Sequence, residues 1–150
     1  MANAVTVTFD DAEVQAWLNE LGAAALDAVR PAAQAGAQVL YDEVKVRVPV
    51  STKGHWFYGT NKKYWFEAGS LRNAIYQVFS QDNSADAKVT YHVAWNHRKV
   101  PYGFMVEFGT ATARARPFLR PAFDAKKQAS LDAVEKVFFE RLQAKVQGIQ

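Results

Sequence analysis

Few side chains in this sequence are spaced for catalysis. The three histidines, His55, His92 and His97, have no metal-ligand spacing, and the chain has no cysteine to partner them. His92 and His97 could meet across a turn, and a surface pair accounts for them. No phosphate loop of the Gly-Lys-Ser/Thr type, no Gly-x-Ser-x-Gly elbow and no His-Glu-x-x-His helix is present. The adjacent acids Asp10-Asp11 and Asp42-Glu43 suit a helix start or a solvated face. Ser51-Thr52 has no base beside it. That leaves Glu107, which stands among Phe104, Met105, Val106 and Phe108. A lone carboxylate is costly to bury unless it is paired. The partners expected for it are backbone amides of the Gly109 turn, or a guanidinium such as Arg72 or Arg120. With no nucleophile or second titrating group next to it, its chemistry reads as structural rather than as a general base. Neither an enzyme activity nor a cofactor or metal is expected.

The segment around Glu107 also holds its own punctuation. Gly109 and Thr110 stop the apolar element. Residues 111–116 read as an exposed loop whose Arg114 and Arg116 suit either phosphate or a protein partner. Pro117 and Pro121 bracket Phe118-Leu119-Arg120 and lead into a helical pattern running to Val146. Val134, Phe138, Leu142 and Val146 share one face of it, with Leu131 and Val137 beside them.

Upstream, Val5 to Phe9 alternate as a short strand, and Asp10 with Glu13 resembles a capping box. Val14, Trp17, Leu18, Leu21 and Ala25 recur at helical spacing, predicting a helix over 11–29. Pro31 suits the first turn of a second helix, striped by Ala33, Ala37, Leu40 and Val44. Val44, Val46, Val48 and Val50 then alternate at period two, so residues 44–50 read as strand or as helix to about residue 47. Pro49 ends either element. Residues 74–80 and 88–96 read as an antiparallel pair joined by a polar turn.

Residues 52–69 carry two aromatic triplets, Trp56-Phe57-Tyr58 and Tyr64-Trp65-Phe66, around a Gly-Thr-Asn-Lys-Lys turn. Three readings stand: a hairpin packed on its own chain; an arm that docks on a neighbouring subunit, since aromatics are favoured at interfaces; and a nucleic-acid stacking surface charged by Lys53, Lys62 and Lys63, which the apolar triplets, not spaced among cations, suit least. This segment and residues 110–117 show no continuous period and are expected to be flexible in the free subunit and ordered by neighbours.

The chain has 150 residues, 49% of them hydrophobic, and a formal charge of +3. That suits one α+β domain over 1–150, with a small antiparallel sheet packed by N-terminal helices and a long C-terminal helix. The charge is too small to require nucleic acid by itself. No apolar run reaches the roughly 20 residues of a membrane helix, so no membrane partner is expected. The N-terminus lacks the pattern of a signal peptide.

The stretch Tyr-Gly-Phe-Met-Val-Glu-Phe-Gly-Thr from Tyr102 to Thr110, followed by Arg-Pro-Phe-Leu-Arg-Pro-Ala from Arg116 to Ala122, resembles the tail-component family of long-tailed bacteriophages. The matching positions are Tyr102, Val106, Glu107, Phe108, Gly109, Thr110, Pro117, Phe118, Leu119, Arg120, Pro121 and Ala122. Pro49, Thr52, Gly54, Gly69, Leu71, Arg72 and Ile75 resemble an upstream family element split by an insertion. The resemblance runs from about residue 30 to the end. It implies a structural virion protein of the neck or tail end, assembled in the host cytoplasm. Such a protein would form a homo-oligomeric ring, commonly six-fold among similar proteins. It would contact the tail tube, the tail terminator or the head-tail connector, close to DNA. The aromatic insertion and the extra N-terminal strand and helix depart from the family pattern. The alternative from the residues themselves is a small basic nucleic-acid-binding module using Arg98, Lys99, Arg114, Arg116 and Arg120.

Overall fold

The structure is a computed structural model and describes residues 11–85 and 87–148. Eight elements follow in order: α1 (Ala12–Arg47), β1 (His55–Tyr58), β2 (Lys63–Phe66), α2 (Ser70–Asn73), β3 (Ile75–Phe79), β4 (Tyr91–Trp95), α3 (Gly103–Phe108) and α4 (Leu119–Gln147). The fold class is α+β, with two separate two-stranded antiparallel sheets, β1-β2 and β3-β4, in place of one small sheet. The strand expected over residues 5–9, and Asp10 of the expected capping box, lie outside the described residues.

The two expected N-terminal helices are one. α1 runs unbroken through Pro31. An interior proline forfeits one backbone bond and crowds the preceding turn. The offset comes from packing. Ala24, Ala28, Ala32 and Gly36 form a row of small residues at every fourth position, and all are buried. That row continues past the proline on both sides and lies against α4. A Cβ at Gly36 would sit 2.5 Å from Val134 Cγ2. The Ser130 hydroxyl donates to the Gly36 carbonyl at 2.9 Å. Lys126 lies 4.0 Å from Glu43, so the two helices run antiparallel.

The ambiguity at residues 44–50 resolves as helix to Arg47. Val44 and Val48 are buried while Val46 and Val50 are exposed. The burial period is four, because the neighbours of this segment lie along a helix face and not on a sheet. The fold then turns back at Pro49 and places the β1-β2 hairpin at this end of α1.

β3 and β4 pair from Ile75 opposite Trp95 to Phe79 opposite Tyr91. Their inner face meets α1: Gln77 and Gln38 hydrogen-bond through their side-chain amides, and the Arg30 guanidinium lies 4.4 Å above the Phe79 ring. Val44, Val48, Phe66, Leu71, Ile75, Val100, Phe118 and Ala122 form the shared core. Of the stripe expected on α4, Val134, Val137, Phe138, Leu142 and Val146 are half-buried. Leu131 is exposed, because it lies off the narrow line on which α4 meets the small residues of α1.

Candidate functional site

A helix begins with amide groups that have no partner inside it. In α4 the first four backbone nitrogens belong to Phe118, Leu119, Arg120 and Pro121. Glu107, in the last turn of α3, takes three of them. One carboxylate oxygen accepts from the Phe118 amide at 2.7 Å and from the Leu119 amide at 3.1 Å. The other accepts from the Arg120 amide at 3.4 Å and from Arg120 Nε at 3.3 Å. Pro121 has no N–H to satisfy. All four positions are thereby accounted for, and the carboxylate faces the positive end of the helix dipole. Glu107 is 1% exposed. Burial pushes its carboxyl up, but the three amides and the Arg120 guanidinium outweigh this and hold it below the usual range. The partners differ from the expected Gly109 turn and from Arg72. Arg120 is the expected guanidinium, but the amides come from the next helix and not from the adjacent turn.

The connection between α3 and α4 is built to allow this. Gly109 has φ +80°, a conformation that side chains disfavour, and a Cβ there would lie 2.8 Å from the Ala115 nitrogen. Thr110 closes the loop: its hydroxyl accepts from the amides of Thr112 and Ala113, and its own amide donates to the Ala113 carbonyl. The Arg116 amide donates to the Val106 carbonyl at 2.8 Å, tying the loop's end back to α3. Phe118 is fully buried, edge-on to Trp95. Arg120 lies 4.9 Å above the Phe108 ring. The side chains of Arg114 and Arg116 and the ring of Pro117 remain on the surface.

The aromatic segment forms a hairpin in the single chain, His55 opposite Phe66 through Tyr58 opposite Lys63. Backbone pairing gives it a strand period that its composition concealed. The triplets divide by face. Phe57 and Phe66 turn inward against Tyr102, with ring centroids 6.0 and 4.8 Å away. Phe66 is buried in the core, so it belongs to the chain's own packing and not to an exposed interface. Burial pushes the Tyr102 phenol above its usual range, opposed in part by the Leu71 backbone. Trp56, Tyr58, Tyr64 and Trp65 are exposed, and Trp56 and Trp65 meet edge-to-face at 5.3 Å. On α3, Phe104, Met105 and Phe108 are exposed as well.

Among the described residues, no three His, Cys, Asp or Glu side chains converge to hold a metal, and no helix is long and apolar enough to cross a membrane. Residues 12–109 match the family described as "Bacteriophage HK97-gp10, putative tail-component". The chain belongs to this HK97-gp10-like family of phage tail components. No curated protein and no solved structure matches it. The HK97-gp10-like match starts at Ala12, so the N-terminal helix lies inside the family segment rather than being an extra. It ends at Gly109, so Glu107 lies inside the segment and the amides it caps lie beyond it. The row Ala24, Ala28, Ala32, Gly36 is a helix-contact surface that lies outside the apolar stripes of the sequence, although its four-residue spacing is legible there.

Proposed function

We propose that this tail-component chain is a structural protein of the phage neck or tail end. It forms a homo-oligomeric ring that completes the tail or joins it to the head connector. The whole chain acts as one tail-component-like unit, without an enzymatic role. The observation that carries this reading is the aromatic and apolar surface that the single chain leaves uncovered. Trp56, Tyr58, Tyr64 and Trp65 on the hairpin, with Phe104, Met105 and Phe108 on α3, are all exposed. Exposed apolar patches of this kind mark interaction sites. Arg114 and Arg116 border the same side, lining one concavity with Phe57, Tyr102 and Met105. The tail tube, the tail terminator and the connector are the partners this surface suits. The Glu107 junction fixes α3 and its apolar residues relative to α4, so its role is architectural.

Reconstruction of purified virions tests the reading. Several copies related by rotation at one end of the tail are expected, and a single copy without rotational symmetry would refute it. Loss of the chain should leave heads and tails unjoined.

A second reading, a small basic nucleic-acid-binding module, draws on the exposed side chains of Arg98, Lys99, Arg114 and Arg116. Arg120 is weaker support for it, being held by Glu107. Salt-dependent retention of DNA by the purified chain, lost on neutralising these arginines, would favour it.

A further inference from the structure

Charge is divided along this molecule. Residues 51–118 carry nine Lys or Arg against four Asp or Glu. The first half of α1, residues 11–29, carries Asp11, Glu13, Glu20 and Asp27 and no Lys or Arg. The acidic half also protrudes. α4 runs antiparallel to α1 with Ser130 and Val134 against Gly36, so Gln147, its last residue, falls opposite the region of Leu21. The α1 residues before that, about 13 Å of helix at 1.5 Å per residue, extend past the end of α4, and residues 11–20 are all exposed. Val14, Trp17 and Leu18 form an apolar stripe there, 46%, 45% and 52% exposed. Glu13 and Glu20, seven residues apart, flank one edge of that stripe.

At the opposite end of α1, about 50 Å away for a 36-residue helix, lies a concavity of about 550 Å³. Phe57, Tyr64 and Trp65 give it apolar walls, and Lys63, Arg98 and Lys99 line its rim. None of these three cations forms an ion pair with a described residue, nor do Glu13 and Glu20. An apolar stripe edged by acids at one pole thus faces, in chemical terms, an apolar groove edged by cations at the other.

We infer that the protruding first turns of α1 dock into the Phe57–Trp65 groove of a second copy of this chain, Glu13 and Glu20 meeting Lys63, Arg98 and Lys99. The contact joins two different patches, so it propagates head to tail and closes a ring where the rotation permits. The inference rests on the ring reading and specifies its interface. Charge complementarity of this sort selects the partner and the register, and salt weakens it.

The test uses the full chain with Glu13→Lys, Glu20→Lys in one variant and Lys63→Glu, Arg98→Glu, Lys99→Glu in another, each checked for folding by circular dichroism. In sedimentation velocity, each variant should lose self-association, and mixing the two should restore it as mixed oligomers. The chain has no cysteine, so a Leu18→Cys, Trp65→Cys double variant reports the contact directly. Oxidation should give a ladder of dimers, trimers and higher species, in solution or, if free subunits stay monomeric, in assembled particles. Variants that associate like the parent, or a missing ladder in particles that hold several copies, would overturn this interface and leave the ring reading standing. Loss of DNA retention with self-association intact would assign the groove to nucleic acid and also overturn it. A parent chain present as one copy per particle, with no ladder, would remove the ring reading as well.

Discussion

Replacing Glu107 by alanine should destabilise the fold by about 3 kcal/mol. The Phe118 amide is buried with its residue and loses a short bond to a charged acceptor, worth about 1.5–3 kcal/mol. The Leu119 and Arg120 amides are only partly buried. Water can replace part of what they lose, so together they add about 1 kcal/mol, the usual cost of losing a helix cap. Glu107→Gln should cost less, about 1–2 kcal/mol, since one oxygen remains to accept from Phe118. Its new NH₂ group, however, would face the Arg120 donors. Urea unfolding of the full chain measures both values, with an unchanged slope showing that the native state is otherwise intact. The pH dependence separates a charge effect from a packing effect. The folded carboxyl titrates below its ordinary range, while the unfolded one titrates near about 4.3. Between the two, the unfolded chain binds more protons, so the contribution of Glu107 is fully present above the unfolded value. It is lost as pH falls through the folded one. The gap between parent and Glu107→Gln should therefore hold at pH 7 and narrow in acid. If the alanine and glutamine variants both unfold within about 0.5 kcal/mol of the parent, the capping account is wrong.

Other consequences can be measured in the same way. Phe118→Ala should cost roughly 3–5 kcal/mol, because the ring is fully buried, read as a lowered urea midpoint. Gly36→Val should cost about 1–3 kcal/mol through overpacking against Val134 and Ser130, while Gly22→Ala, where a Cβ meets nothing within 4 Å, should be neutral or stabilising. Pro31→Ala should raise the melting temperature, since it restores an amide to an already continuous helix. A Trp56→Ser, Trp65→Ser pair, half-exposed on the hairpin and in edge-to-face contact, should lower stability by about 1–2 kcal/mol, leave the chain folded by circular dichroism, and yet abolish tail joining in a complementation assay.

Much of this was legible in the sequence where local pattern and tertiary environment agree. The β3-β4 pair, the long C-terminal helix and the need of Glu107 for a partner follow from alternation, from four-residue spacing and from the cost of a buried charge. What escaped was set by distant neighbours. Pro31 reads as a helix start, and only the small-residue row against α4 shows why the helix continues through it. The valines at 44–50 fit two periods equally, and burial of Val44 with Val48 decides between them. The aromatic triplets show no alternation by residue type, because both faces of the hairpin are aromatic. Tyr102 lies on one side only, so Phe66 goes inward while Trp65 stays out. The amides that Glu107 caps lie eleven to thirteen residues on in the chain, beyond any local rule for pairing an acid.

The reach of that carboxylate separates kinship from foldability. The family match stops at Gly109, yet the acid inside it is satisfied only by groups that follow. A fragment cut at the end of the matched segment would keep the charge and lose what solvates it. The α4 fragment would in turn begin with three bare amides. A protease nick in the exposed loop 111–116 should therefore leave two pieces that stay together and melt as one. Either piece expressed alone should be a poor folder, however well its sequence matches its relatives.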